Sequence, residues 1–119
     1  MRIYIAGKYS AKTKKEREKN TKEAMKAWWK LIDSGFLPFC PHLSHFLTGD
    51  NPTFGMDRNP PAEFWYQYDA EWLKLCDAIL VISNSDGVAK EIEIAQSLLI
   101  PVFYSVRELI AFYDTEGKE

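Results

Sequence analysis

Short apolar runs alternate with longer amphipathic stretches along the chain. Arg2–Ala6 (Arg-Ile-Tyr-Ile-Ala) is a short apolar run stopped by Gly7 and reads as a buried strand. Residues 13–33 read as a helix. Ala24, Trp28, Leu31 and Ile32 recur near a period of 3.6, and Gly35 sits where a C′ glycine closes a helix. Phe36–Cys40 reads as a second strand. A Pro/Asn/Gly-rich segment from Pro41 to Pro60 reads as a long loop, and loops of this length in compact domains are usually functional or mobile. Pro60-Pro61 opens a helix running to about Cys76, since proline is at home in the first turn. Ala78–Ser83 is the clearest strand, Ser83–Gly87 a polar turn, and Val88 to about Leu99 a helix. Pro101–Tyr104 is a fourth strand, a last helix covers about Val106–Tyr113, and the tail is polar.

The order is βαβαβαβα, which predicts an α/β fold: a small parallel sheet with helices on both faces, joined by right-handed crossovers. Ligands of such sheets bind beyond the carboxyl ends of the strands, where the strand order reverses. With order 2-1-3-4, that point lies between strands one and three. The turns after those strands are Gly7-Lys8-Tyr9-Ser10 and Ser83-Asn84-Ser85-Asp86-Gly87.

Composition narrows the class. At 119 residues, 46% hydrophobic and 27% charged, the chain is the size of one domain over residues 1–119 and long enough to bury a core without staples. Its 7 Phe, 6 Tyr and 4 Trp exclude intrinsic disorder. Two cysteines, Cys40 and Cys76, exclude a disulfide scaffold and suit a reducing, cytoplasmic compartment. A net charge of −2 argues against a nucleic-acid polymer as partner. The longest apolar run, around Leu98–Tyr104, is far short of the roughly 18–20 residues of a membrane span. Lys12, Lys14, Lys15, Arg17, Lys19 and Lys22 read as the solvated face of the first helix, with a weaker reading as a positive rim.

Two carboxylates stand out. In the helix from Pro61, Trp65, Tyr68, Trp72 and Cys76 mark one buried face, and Asp69 falls in its middle. A carboxylate there is either a structural group bonded to a nearby helix end or a carboxyl with a raised pKa kept for proton transfer. In the helix after strand three, Val88, Ile92, Ala95 and Leu99 form the apolar stripe. Glu93 lies opposite it, solvated, while Glu91 lies at its edge, where the helix dipole is expected to favour the ionised form. One carboxyl that donates a proton and one held ionised are what retaining glycoside cleavage requires.

Tyr4-Ile5-Ala6-Gly7, Tyr68-Asp69-Ala70-Glu71-Trp72-Leu73, Cys76-Asp77-Ala78 and Ser85-Asp86-Gly87-Val88-Ala89-Lys90-Glu91 occur in an order that resembles the nucleoside 2-deoxyribosyltransferase superfamily, which includes the 2′-deoxynucleoside 5′-monophosphate N-glycosidases. The resemblance extends over nearly the whole chain. It implies a flavodoxin-like three-layer sandwich and cleavage of an N-glycosidic bond through a covalent glycosyl-enzyme, without a cofactor. It implies Glu91 as nucleophile, Asp69 as the carboxylate handling the leaving base, and Tyr4 as the residue orienting Glu91. Ser85 stands where the monophosphate hydrolases contact phosphate, with Gly87 and the helix amino terminus favouring an anion. Lys8 and Ser10 stand where those hydrolases carry Ser and Arg. The resemblance further implies a homodimer or higher homo-oligomer acting on a small nucleotide or nucleoside. The segment Pro38–Phe46 resembles a small bacterial and phage branch of the superfamily. The alternative of a different class is a nucleotide-binding or sensing module of the same fold without turnover.

Cys40, His42 and His45 have a spacing that three metal ligands could use, but no second ligand cluster accompanies them, and no metal is expected. One histidine is expected to face the base or sugar; the plain alternative is a histidine packed against the loop and bonded locally. Trp65 and Tyr68 could stack on a base or belong to the core or a subunit interface. Adjacent Trp28 and Trp29 cannot face the same way: one is expected in the core, the other at an oligomer contact.

Overall fold

The computed structural model describes residues 1–117, with side chains through Tyr113. Four strands and four α-helices alternate: β1 (Arg2–Ala6), α1 (Lys14–Asp33), β2 (Leu37–Phe39), α2 (Ala62–Leu73), β3 (Ala78–Val81), α3 (Asp86–Ser97), β4 (Val102–Phe103) and α4 (Val106–Gly117). The sheet is parallel throughout, in the order β2-β1-β3-β4, with Tyr4 opposite both Phe39 and Ile79. This is a flavodoxin-like α/β sandwich, and its order reverses between β1 and β3 as expected.

Strand periodicity assigns the two faces. Ile3 and Ile5 pack with Ala24, Ala27 and Leu31 of α1 and Leu109 of α4. Tyr4 and Ala6 point to the other face, with Leu73, Val88 and Ala95 of the α2/α3 layer. Both faces of the sheet are covered, so β1 and β3 are apolar without alternation. Thr13 caps α1 through Glu16 N, and Gly35 ends it at φ +88°. Trp28 packs against the core while Trp29 is exposed. No helix among the described residues is long and apolar enough to cross a membrane.

Several expectations are corrected. Pro41–Phe46 is a 3-10 helix rather than loop, started by Pro41, and it buries His42 and His45. Only part of the expected face of α2 points inward: Trp65 lines the cavity and Cys76 is buried, but Tyr68 and Trp72 are each 44% exposed, and Leu73 is the helix's buried residue. The positions that border the cavity are Ala62, Trp65, Tyr66, Asp69 and Ala70, with Leu73 in the core beside them, a face turned by about 100° from the expected one. Bulk misled the pattern, because most of the inward face borders a cavity instead of a core. Helix α3 starts at Asp86, two residues early, because Ser85 caps it. It stops at Ser97, so Leu99 lies beyond the stripe, 90% exposed at φ 58°. Arg17 leaves the lysine face to pair with Asp50. Helix α4 continues past Tyr113 to Gly117; the rest of the expected polar tail lies outside the described residues.

Candidate active site

The turns after β1 and β3 are stitched together at the switch point. Ile82 N donates to Ala6 O at 2.8 Å, and Lys8 N to Ser83 Oγ at 2.8 Å. Gly7 permits this contact, since a Cβ there would lie 2.6 Å from Ile82 Cγ1. Above the turns opens a cavity of about 650 Å³, a volume suited to a small-molecule ligand. Its floor comes from β1 and its turn, one wall from the 3-10 helix and the 48–60 segment, and the other from α2 and the first two turns of α3.

Asp69 and Glu91 both line it, from α2 and α3. Burial pushes Asp69 up to about 7. Burial also pushes Glu91 up to about 7, with the Asp69 charge adding to the rise and the Tyr4 phenol opposing it. The expectation that the helix dipole keeps Glu91 ionised is therefore corrected. Glu91 sits in the second turn of α3, where the dipole has faded, and desolvation wins. With both raised to about 7, each carboxyl is readily protonated or ionised near neutrality.

Beneath them lies Tyr4, fully buried. Burial, then Glu91 and Asp69, raises the pKa of its phenol far above the usual tyrosine value, so the group is a neutral donor. Its Oη makes no well-formed hydrogen bond, although it lies close enough to Glu91 to lower that carboxyl's pKa. A buried hydroxyl left so costs roughly 1–3 kcal/mol.

Gly7, Ser10, Ser85 and Gly87 line the cavity, as do His42, His45 and Trp65. Lys8 is exposed and is not part of the lining; its backbone N–H bonds Ser83 Oγ in the turn below. Ser85 Oγ accepts from Val88 N at 3.2 Å, which leaves its hydroxyl proton available. The α3 amino terminus also brings Asp86 to the cavity, with Lys90 one turn on, its ammonium 4.8 Å from the Tyr66 ring centroid.

The histidines are both buried and locally bonded. His42 Nδ1 lies 3.8 Å from Cys40 Sγ, and its Nε2 3.2 Å from Lys8 O. Burial raises the Cys40 thiol to about 11 and lowers His42 below its ordinary value. Among the described residues no three His, Cys, Asp or Glu side chains gather as a metal site.

The pattern of the sequence missed the far wall. Arg17 grips Asp50 with two bonds, Nε to Oδ2 at 2.9 Å and Nη2 to Oδ1 at 3.1 Å, and Tyr9 donates to Asp50 Oδ2 at 2.6 Å. The Arg17 and Tyr9 hydrogen bonds hold the Asp50 carboxyl below its usual range. The available signal was an arginine set among lysines, the residue type that suits a two-bond carboxylate grip.

A family model described as a domain of unknown function (DUF7768) matches residues 1–105. No curated protein matches. A solved structure, a 2-deoxyribosyltransferase from the psychrotolerant bacterium Bacillus psychrosaccharolyticus, is similar with a TM-score of 0.59 at 24% identity. The match covers 86% of this chain and 69% of that one. At that identity the likeness speaks for the fold.

Proposed function

The chain belongs to the DUF7768 family, and we propose that it cleaves the N-glycosidic bond of a 2′-deoxynucleoside or its 5′-monophosphate. The observation that carries this reading is the pair of carboxyls, Asp69 and Glu91, in one cavity at the switch point with a buried neutral phenol beneath them. The resemblance of their sequence motifs to the deoxyribosyltransferase superfamily supports it.

In this reading the Glu91 carboxylate attacks the anomeric carbon. The C–N bond breaks, its electron pair goes to the departing base, and Asp69 delivers its proton there. Tyr4 steadies Glu91 as a donor. Water then adds to the anomeric carbon, Glu91 leaves, and the water's proton returns to Asp69. A second base in place of water gives transfer instead of hydrolysis. The Ser85 hydroxyl and the α3 amino terminus would take the 5′ group, with Lys90 nearby and Asp86 opposing a phosphate. The reading includes self-association, with the exposed aromatic face of α2 (Phe64, Tyr68 and Trp72) as the contact.

The test is base release from a panel of 2′-deoxynucleosides, their 5′-monophosphates and the matching ribonucleotides, separated by chromatography. Release is expected from deoxy substrates, with Glu91→Ala lowering it at least ~10³-fold and Asp69→Asn ~10²–10⁴-fold. Release untouched by Glu91→Ala would sink the mechanism. A raised melting temperature with no release would make the chain a binding module.

A further inference from the structure

The sequence leaves two histidines equivalent; hydrogen-bond arithmetic separates them. His42 has both ring nitrogens engaged. The Lys8 carbonyl can only accept, so His42 Nε2 carries the proton, and Nδ1 faces a Cys40 thiol that stays protonated. His45 is different. Its Nδ1 lies 2.9 Å from Tyr9 Oη, whose single proton is committed to Asp50 Oδ2 at 2.6 Å. Asp50 is held ionised by Arg17 and can only accept. Tyr9 must therefore accept from His45, which places the ring proton on Nδ1. In the neutral ring Nε2 is then left with a lone pair and no partner among the described residues, on a ring that lines the cavity.

We infer that His45, and not His42, contacts the substrate, its Nε2 accepting from a hydrogen-bond donor of the nucleoside, and that Arg17, Asp50 and Tyr9 are positioning residues that set its tautomer. The inference rests on the nucleoside reading of the same cavity for its ligand, but the tautomer does not. The donor is a sugar hydroxyl or a base amino group; both offer a hydrogen to a neutral imidazole. The chain also explains why a polar network spans from α1 to the 48–60 segment: it fixes one ring orientation at the cavity wall, as an orienting carboxylate does for other functional histidines.

The chain has two histidines, so a long-range ¹H–¹⁵N spectrum of the labelled protein at pH 8 resolves both rings. Opposite tautomers are expected, Nε2–H for His42 and Nδ1–H for His45, with Tyr9→Phe releasing His45 toward Nε2–H. Titration with a deoxynucleoside should move the His45 Nε2 signal and leave His42 in place. A 2′,3′-dideoxynucleoside and a nucleoside lacking the base amino group identify the donor by which one loses the shift. His45→Asn, which keeps a donor near Tyr9 and lacks Nε2, should weaken binding roughly tenfold, the loss of one hydrogen bond. An Nε2–H tautomer at His45, or an Nε2 signal that stays still while amide shifts show a nucleoside bound, overturns the inference. Absence of binding by every nucleoside overturns the substrate reading, and with it the named ligand, and is told apart by the tautomer itself.

Discussion

Glu91 and Asp69 show how far a single residue's sequence position informs its chemistry. Period alone separates Glu91 from Glu93, one half-buried and the other exposed. It says nothing of proton affinity, which depends on how much water and which charges remain around the carboxyl. With both carboxyls raised to about 7, the reaction proposed here needs one protonated and one ionised member. The rate of base release is expected to peak near neutrality and to fall on both sides, as a pH–rate profile on the best substrate would record. Glycines make a second residue-scale contrast. At Gly7 a methyl group would meet Ile82 Cγ1 at 2.6 Å, so Gly7→Ala should destabilise the chain by ~1–3 kcal/mol, read as a lower urea midpoint. At Gly87 the nearest atom to an added Cβ is Tyr66 Cε1 at 3.4 Å, an ordinary contact. Gly87→Ala should keep or slightly raise stability, since alanine suits a helix by ~0.5–1 kcal/mol, yet weaken nucleotide binding. Unchanged affinity in that variant would remove Gly87 from the ligand's path.

Among the elements, strands and helix order follow closely from periodicity because their apolar residues face a sheet or a core. Helix α2 departs for a physical reason. Its pattern of Trp65, Tyr68, Trp72 and Cys76 marks where the large side chains are, whereas its inward face borders a cavity and carries Asp69 and Ala70 among the aromatics. The end of α3 departs for another. Ile100 N bonds Ala95 O at 2.8 Å and Leu99 N bonds Gln96 O at 3.2 Å, closing the helix around a left-handed Leu99. A leucine at that φ is strained and, here, almost wholly exposed. Leu99→Gly should relieve the strain without opening a cavity, raising the melting temperature by a few degrees, on the order of 1 kcal/mol. A lower melting temperature would mean that Leu99 is covered in solution.

For the whole molecule, the two raised carboxyls predict how stability varies with pH. Their folded pKa values lie above the unfolded ones, so the folded chain keeps protons that the unfolded chain has lost. Their contribution is full below about pH 4 and is lost as pH rises through 7. Asp50, held low by Arg17, acts oppositely: its contribution is present above the ordinary aspartate value and fades as acid protonates it. Unfolding midpoints at pH 5 and 8 should show wild type losing stability across that interval, and Asp69→Asn with Glu91→Gln losing much less. An equal loss in the double variant would place the effect elsewhere.

The sequence by itself determined the alternation of strands and helices and the parallel sheet, and, with the strand order that the structure bears out, the presence of Asp69 and Glu91 near the switch point. These depend on local period and on the handedness of single βαβ crossovers, each set within one stretch of neighbouring elements. Only the tertiary structure decided that both carboxyls are raised together, that Lys8 stays out of the cavity, and that Arg17, Asp50 and Tyr9 hold His45. Arg17 and Asp50 stand 33 positions apart, Tyr9 and His45 36. No local pattern records such pairings, because desolvation and hydrogen bonding depend on what the fold brings into contact.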